Sequence, residues 1–171
     1  MKNAQKGFSL IELLIVVVII GIIAAIAIPN LLATRRAANE GSAVSTLRTL
    51  HGAQMTYANT FGNGNFAGTI GSTSDTVGLS SLGTTNLIDS VLAGGIKSGY
   101  TFTGARTALA LPIPATFFFS ANPITPSGVT QTGSRRLGIA TEGVLVIDTT
   151  PADLGTPFDP TSIAAASPFS N

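Results

Sequence analysis

A long apolar run with a single acid inside it sets the terms for this 171-residue chain. From Phe8 to Ile28 there are 21 residues, and Glu12 is the only charged one among them. At about 1.5 Å of rise per residue, a helix of that length reaches across the hydrocarbon of a bilayer. A carboxylate at that depth costs on the order of 2.5–3.5 kcal/mol on insertion scales, so it normally marks a function and has a partner. No basic residue between Phe8 and Ile28 supplies one. The nearest source is a new positive charge made by cutting the chain just ahead of Phe8. A secretory signal peptide fits poorly, because its small-residue cleavage site follows a shorter apolar core. An ordinary membrane anchor has the length but no use for Glu12.

The segment Lys6-Gly7-Phe8-Ser9-Leu10-Ile11-Glu12, followed by the apolar run, resembles the N-terminus of a type IV prepilin. The resemblance is most specific over Lys6 to Glu12 and extends more loosely to about Asn39. It implies a leader, Met1 to Gly7, removed after Gly7 by a prepilin peptidase that also N-methylates the new terminus at Phe8. It implies that Glu12 meets the N-terminal amine of a neighbouring subunit during filament assembly. It further implies a stretched, non-helical segment between Gly21 and Pro29 in the filament. From the residues alone, a simple kink at Pro29 stands beside that reading, since proline lacks an amide donor. Gly21 and Ala25 form a small-xxx-small pair that lets neighbouring helices approach closely.

Composition bounds the rest. Charged residues make up 10% and hydrophobic ones 44%, which suits a subunit that buries surface against copies of itself. Removing the expected leader takes away Lys2 and Lys6 and leaves seven basic against eight acidic side chains. A near-neutral chain offers no electrostatic case for nucleic acid as a partner. Lys2 and Lys6 on one side of the run face Arg35 and Arg36 on the other, so loop charge does not decide orientation. There is no cysteine, which departs from many type IV pilins, where a disulfide closes a C-terminal loop. Packing, pairing or an ion must pin this C-terminus instead.

Beyond the membrane segment, residues 29–61 continue as an amphipathic helix. Ala43, Val44, Leu47, Leu50, Gln54, Ala58 and Phe61 share one side at helical spacing, and Arg48, Thr49, Gly52, Thr56 and Asn59 the other. Gly62-Asn63-Gly64-Asn65 ends it. Residues 62–97 read as a Gly-, Ser- and Thr-rich variable loop with a short helix over Leu87 to Ala93. Residues 98–148 carry the strand signals: Gly99 to Thr103, Thr116 to Ala121, and a hairpin of Leu137–Ala140 with Val144–Asp148. At strand spacing, Phe117 and Phe119 share one face and fill the core. Residues 149–171 are a proline-rich tail that wraps the head or hangs free. The expected fold is α+β and pilin-like: a long N-terminal helix on an antiparallel sheet of three to four strands.

Catalysis has little to stand on. His51 is the only histidine and lies near the apolar side of the helix, there is no thiol, and no P-loop or paired-histidine metal motif appears. The chain reads as a non-enzyme. Asp148, Asp153 and Asp159 carry oxygens able to bind calcium, but their spacing matches no calcium-loop motif, and solvated loop aspartates are the default. Arg35-Arg36 and Arg135-Arg136 make weak patches for phosphates; salt bridges to a neighbouring subunit or to Glu40, or plain solubility, account for them equally well.

The resemblance implies a structural subunit, a type IV pilin, that polymerises into a helical surface pilus serving adhesion or motility. Its implied partners are copies of itself, the peptidase and methyltransferase, membrane lipid before assembly, and an inner-membrane platform with its ATPase. Its implied location is the cytoplasmic membrane, single-pass with the head outside, and then the extracellular filament. Three alternatives stay open: a type II secretion pseudopilin, a minor or competence pilin, and a membrane-anchored binding protein that never polymerises.

Overall fold

The computed structural model describes residues 7–71 and 75–169. The expected leader lies outside the described residues except for Gly7. The chain divides after Arg35 into two compact units. One helix, α1 (Leu10–Thr60), contributes to both.

In the first unit α1 is apolar on every side. It is long and apolar enough to cross a membrane, and none of its most apolar stretch is buried among the described residues. Pro29 lies inside the helix, which runs through it and through Gly21 without interruption. The isolated chain thus keeps α1 continuous at Pro29, as the kink reading allows. Proline removes one amide donor, and the hydrogen bonds on either side keep the remaining turns closed. The non-helical stretch implied for a filament concerns another state.

In the second unit the same helix acquires an inside and an outside. Ala43, Thr46, Leu47, Leu50, Ala53 and Gln54 are buried, while Arg48, Thr49, Gly52, Thr56 and Asn59 are exposed. Phe61, expected on the inner side, is exposed, because the helix ends at Thr60 and the chain turns away. Gln54 is buried and paired at both ends of its amide: its Nε2 donates to the Ala67 carbonyl and its Oε1 accepts the Ala67 amide, both at 2.8 Å. The side chain acts as a strand edge and fastens the loop that follows the helix.

Among the described residues the sheet has six antiparallel strands in chain order. These are β1 (Ile96–Lys97), β2 (Tyr100–Thr107), β3 (Thr116–Pro123), β4 (Arg136–Ala140), β5 (Leu145–Asp148) and β6 (Ser167–Pro168). The four long strands match the sequence expectation. The two extra ones are two residues each, too short to leave an alternating pattern. Two further helices, α2 (Val77–Thr84) and α3 (Ser90–Ala93), fold within the variable loop. Leu79, Leu82 and Leu92 anchor them in the core. The expected helix over Leu87 to Ala93 is thus shortened to one turn, with Asp89 as N-cap accepting the Leu92 amide.

Every residue of β3 after Thr116 is buried, which a strand with one wet face would not show. Phe117, Phe119 and Ala121 face the core that contains Leu47 and Leu50, as expected. Phe118 faces the other way, into a second cluster with Ala105, Val146, Phe158 and Ile163. The last two come from the tail. Residues 149–169 do not hang free; they cross the outer face of the sheet and fold a short helix, α4 (Pro160–Ala165), before β6 pairs with β5.

Candidate functional site

At the amino end of α1, Phe8 is almost wholly exposed and Gly7 has open space around it. The peptide between them stands clear of the other described residues. Ser9 and Glu12 then open the helix. The Ser9 amide donates to Glu12 Oε2 at 2.9 Å. Ser-x-x-Glu is a capping-box sequence, in which an acid at the third helical position reaches back to the N-cap amide. The carboxylate also lies where the helix dipole favours negative charge. Glu12 therefore has a partner in the single chain, a backbone amide rather than a cation. The capping pattern is legible in Ser9-Leu10-Ile11-Glu12.

From Phe8 to Leu31 the large apolar side chains are exposed by half or more. Soluble monomers rarely present a contiguous apolar surface of this extent. A Cβ added at Gly21 would meet nothing within 4 Å, and the same holds at Gly41 and Gly52. Glycine inside a helix costs on the order of 1 kcal/mol against alanine, and no contact among the described residues requires it at those positions.

The three aspartates considered for calcium sort themselves around Arg136. Its Nε and Nη2 donate to Asp148 Oδ2 at 2.9 and 2.6 Å, and Nη1 donates to the Thr156 carbonyl at 3.0 Å. Asp153 Oδ2 stands 3.9 Å from Nη2. The guanidinium carbon lies 4.2 Å from the centre of the Phe158 ring, a cation–π distance. Asp159 caps α4, accepting the amides of Thr161 and Ser162 at 2.9 and 2.7 Å. Among the described residues no three His, Cys, Asp or Glu side chains are grouped to hold a metal. Burial works against the Asp148 carboxylate, but the Thr150 hydroxyl and amide, with Arg136, outweigh it and hold its pKa below the usual range. The Ser162 amide and hydroxyl do the same for Asp159.

This clasp is how a chain without cysteine pins its tail. Two buried groups of β3 complete it. Asn122 Nδ2 donates to the carbonyls of Leu154 and Thr156 at 3.0 and 2.7 Å, and the Phe158 amide donates to Ser120 Oγ at 3.0 Å. The neighbouring Arg135 pairs with Glu40 of α1 at 3.2 Å, one of the roles the sequence allowed. Glu40 also accepts from the amide and hydroxyl of Ser134, at 2.8 and 2.7 Å. The Tyr100 hydroxyl donates to the Arg135 carbonyl at 2.9 Å, and burial, reinforced by the charge of Glu40, pushes its pKa up.

Comparison with known proteins turns on the N-terminal segment. Residues 2–28 match the family described as "Prokaryotic N-terminal methylation motif". The type IV wide pilus major component PilA4 of Thermus thermophilus is 68% identical over 40 residues, covering 23% of this chain and 30% of its own. That segment is what the chain shares with a type IV pilus component. The type IV major pilin protein PilA of Myxococcus xanthus is 47% identical over 53 residues, 31% of this chain and 24% of its own. The type II secretion system core protein G of Aeromonas hydrophila is 39% identical over 56 residues, 33% of this chain and 39% of its own. The match therefore spans about a quarter to two fifths of the length of these relatives. No solved structure matches the chain significantly. The α+β head, with its helix on an antiparallel sheet, is a pilin-like arrangement.

Proposed function

We propose that this chain is a structural subunit that polymerises into a type IV pilus, after cleavage between Gly7 and Phe8 and methylation of Phe8. One observation carries the reading: an exposed apolar helix segment whose single acid, Glu12, sits one turn from the cleavable peptide. Packing that segment against copies of itself removes the apolar surface from water without any new fold. The glycines at 21, 41 and 52 leave flat places on α1 where a neighbouring helix can approach. A new ammonium at Phe8 offers Glu12 a cation in exchange for the Ser9 amide. A pair of that kind rewards correct axial register, because a misplaced copy leaves a charge without its partner.

Before assembly the same segment holds the subunit in the cytoplasmic membrane, with the head outside. The peptidase and methyltransferase, an assembly platform and its ATPase are the machinery such a subunit needs. The likeness to secretion core protein G, which reaches further along this chain than the pilin matches above, supports a second reading as a pseudopilin. Shearing filaments from cells and weighing the intact dominant subunit tests both. A chain starting at Phe8 with one added methyl group, abundant in the sheared fraction, is the expected result. The same processed chain found only in membranes favours the pseudopilin, and an uncut Met1 terminus overturns both.

A further inference from the structure

The uncharged part of α1 does not coincide with the run from Phe8 to Ile28. It extends from Leu13 to Thr34, 22 residues with Glu12 before it and Arg35 after it. The helix is continuous across all of it, so Glu12 and Arg35 stand about 35 Å apart at the standard rise. A tilt of about 20° brings their separation along the bilayer normal to roughly 32 Å. The hydrocarbon of a bilayer is about 30 Å thick. One register of the helix therefore keeps both charges out of it. Placing Phe8 to Ile28 in the hydrocarbon instead sinks the Glu12 carboxylate by about a turn. It also leaves Leu31, which is 67% exposed in the chain, in contact with water.

The side chains at the far end suit that register. Arg36, where the second unit begins, is committed to its own head, Nη1 donating to Gln131 Oε1 at 3.0 Å. Arg35 is exposed, and no described residue bonds or pairs with it. The Thr34 hydroxyl closes on the Asn30 carbonyl at 2.9 Å and asks nothing of the lipid. The Asn30 amide, just over a turn inside Arg35, is uncharged and costs less to desolvate than a carboxylate. Phe8, Leu10 and Ile11 leave the hydrocarbon as Leu31 and Leu32 enter it. Apolar side chains thus exchange nearly like for like, and the charge decides. Glu12 keeps the Ser9 amide at 2.9 Å and gains water.

We propose that the membrane-held subunit spans the bilayer from Leu13 to Thr34, with Arg35 seated on lipid phosphate on the head side and Glu12 in the headgroup layer on the leader side. A guanidinium matches phosphate with two parallel hydrogen bonds, and its long stem reaches the headgroups from a helix end. The Gly7–Phe8 peptide then lies about 7 Å beyond Glu12 at helical rise. That is clear of the hydrocarbon, where the water needed to hydrolyse it is present. The proposal rests on reading α1 as an anchor before assembly, and adds to that reading its depth and its lipid contact.

The full chain lacks cysteine, so Leu31→Cys and Ala38→Cys each place a single thiol. Both positions are exposed in the chain, and only lipid can shield a thiol there. Each variant is reconstituted at low density in vesicles of phosphatidylcholine and phosphatidylglycerol and labelled with a membrane-impermeant maleimide. Leu31→Cys should react at least tenfold more slowly than Ala38→Cys, and equally fast once sodium dodecyl sulfate replaces the bilayer. A smaller difference in the vesicles puts the boundary near Ile28 and overturns the register. The phosphate contact is read by solid-state NMR, as dipolar coupling between arginine guanidinium carbons and lipid phosphorus in phosphate-free buffer. Arg35→Lys should remove that coupling while Leu31→Cys stays shielded. Coupling that survives the substitution, or is absent from the unaltered chain, overturns the contact. If alkaline carbonate strips the unaltered chain from cell membranes, the anchor reading itself falls and the proposal with it.

Discussion

The two halves of α1 bury apolar residues in opposite senses. Between Ala43 and Gln54 the helix hides one face in its own core and keeps Arg48 and Thr49 in water. Between Leu10 and Ile28 it hides nothing, and its apolar side chains point in every direction. A helix that is hydrophobic all round belongs inside something larger than itself. The first half is therefore specified for partners outside the chain, and the second for the chain's own sheet. On the proposed reading, a substitution in one half acts on assembly and in the other on folding.

The sharpest way to break that division is at Glu12. Glu12→Ala removes both the charge and the acceptor for the Ser9 amide. Filaments in the sheared fraction should fall to background, with leader cleavage and the unfolding temperature of the head unchanged. Glu12→Gln separates the two roles, because glutamine also completes a capping box. It should keep the helix terminus and still fail to assemble. Abundant normal filaments from either variant refute the register role.

The reciprocal experiment replaces apolar residues in the two halves. Leu50 is fully buried, and Leu→Ala at such a site costs about 2–5 kcal/mol. Chemical denaturation of the detergent-solubilised subunit should show that loss. Leu14→Ala, in the exposed half, should leave the same transition where it was. A matching loss at Leu14 means the first half is folded against the second after all.

Arg136 probes the tail within the second half. Arg136→Ala leaves Asp148 without this cation and removes the guanidinium from the Phe158 ring, and removing one partner of a largely buried pair costs about 3 kcal/mol. The tail should then be cut by protease ahead of the sheet. Arg136→Lys restores the charge but not the forked geometry and should recover only part of the loss. Full protection in the alanine variant shows that Asn122 and Ser120 hold the tail unaided.

Much of this was legible before any coordinate. The apolar run, the four long strands, the inward Phe117 and Phe119 and the helix end near Gly62 follow from periodicity and turn chemistry, which act over a few residues. What escaped was short or depended on distant pairing. Helix α4 has six residues, too few for a period, although Asp159 followed by Pro160 is a start signal. Arg136 reads in sequence as half of a basic pair. Its partners lie 12 and 20 residues downstream in Asp148 and Thr156, and only the folded sheet brings them together.

The smallest effect is a dependence of the tail on acid. Asp159 and Asp148 have carboxyl groups held below their ordinary pKa, while the unfolded value of an aspartate is about 3.9. A group whose pKa is depressed by folding stabilises the fold above the unfolded value and loses that contribution as pH falls through the folded one. The tail should therefore be firm at neutral pH and loosen below about pH 4. Hydrogen exchange of residues 158–169, corrected for the intrinsic rate, measures the opening. Asp159→Asn keeps an N-cap of similar quality but cannot titrate there. It should remove the share of the acid response that belongs to α4 and leave the share of Asp148 at the clasp. If the asparagine variant opens with the same pH profile as the unaltered chain, the α4 cap carries none of the response, and the Asp148–Arg136 pair alone ties the tail's firmness to pH.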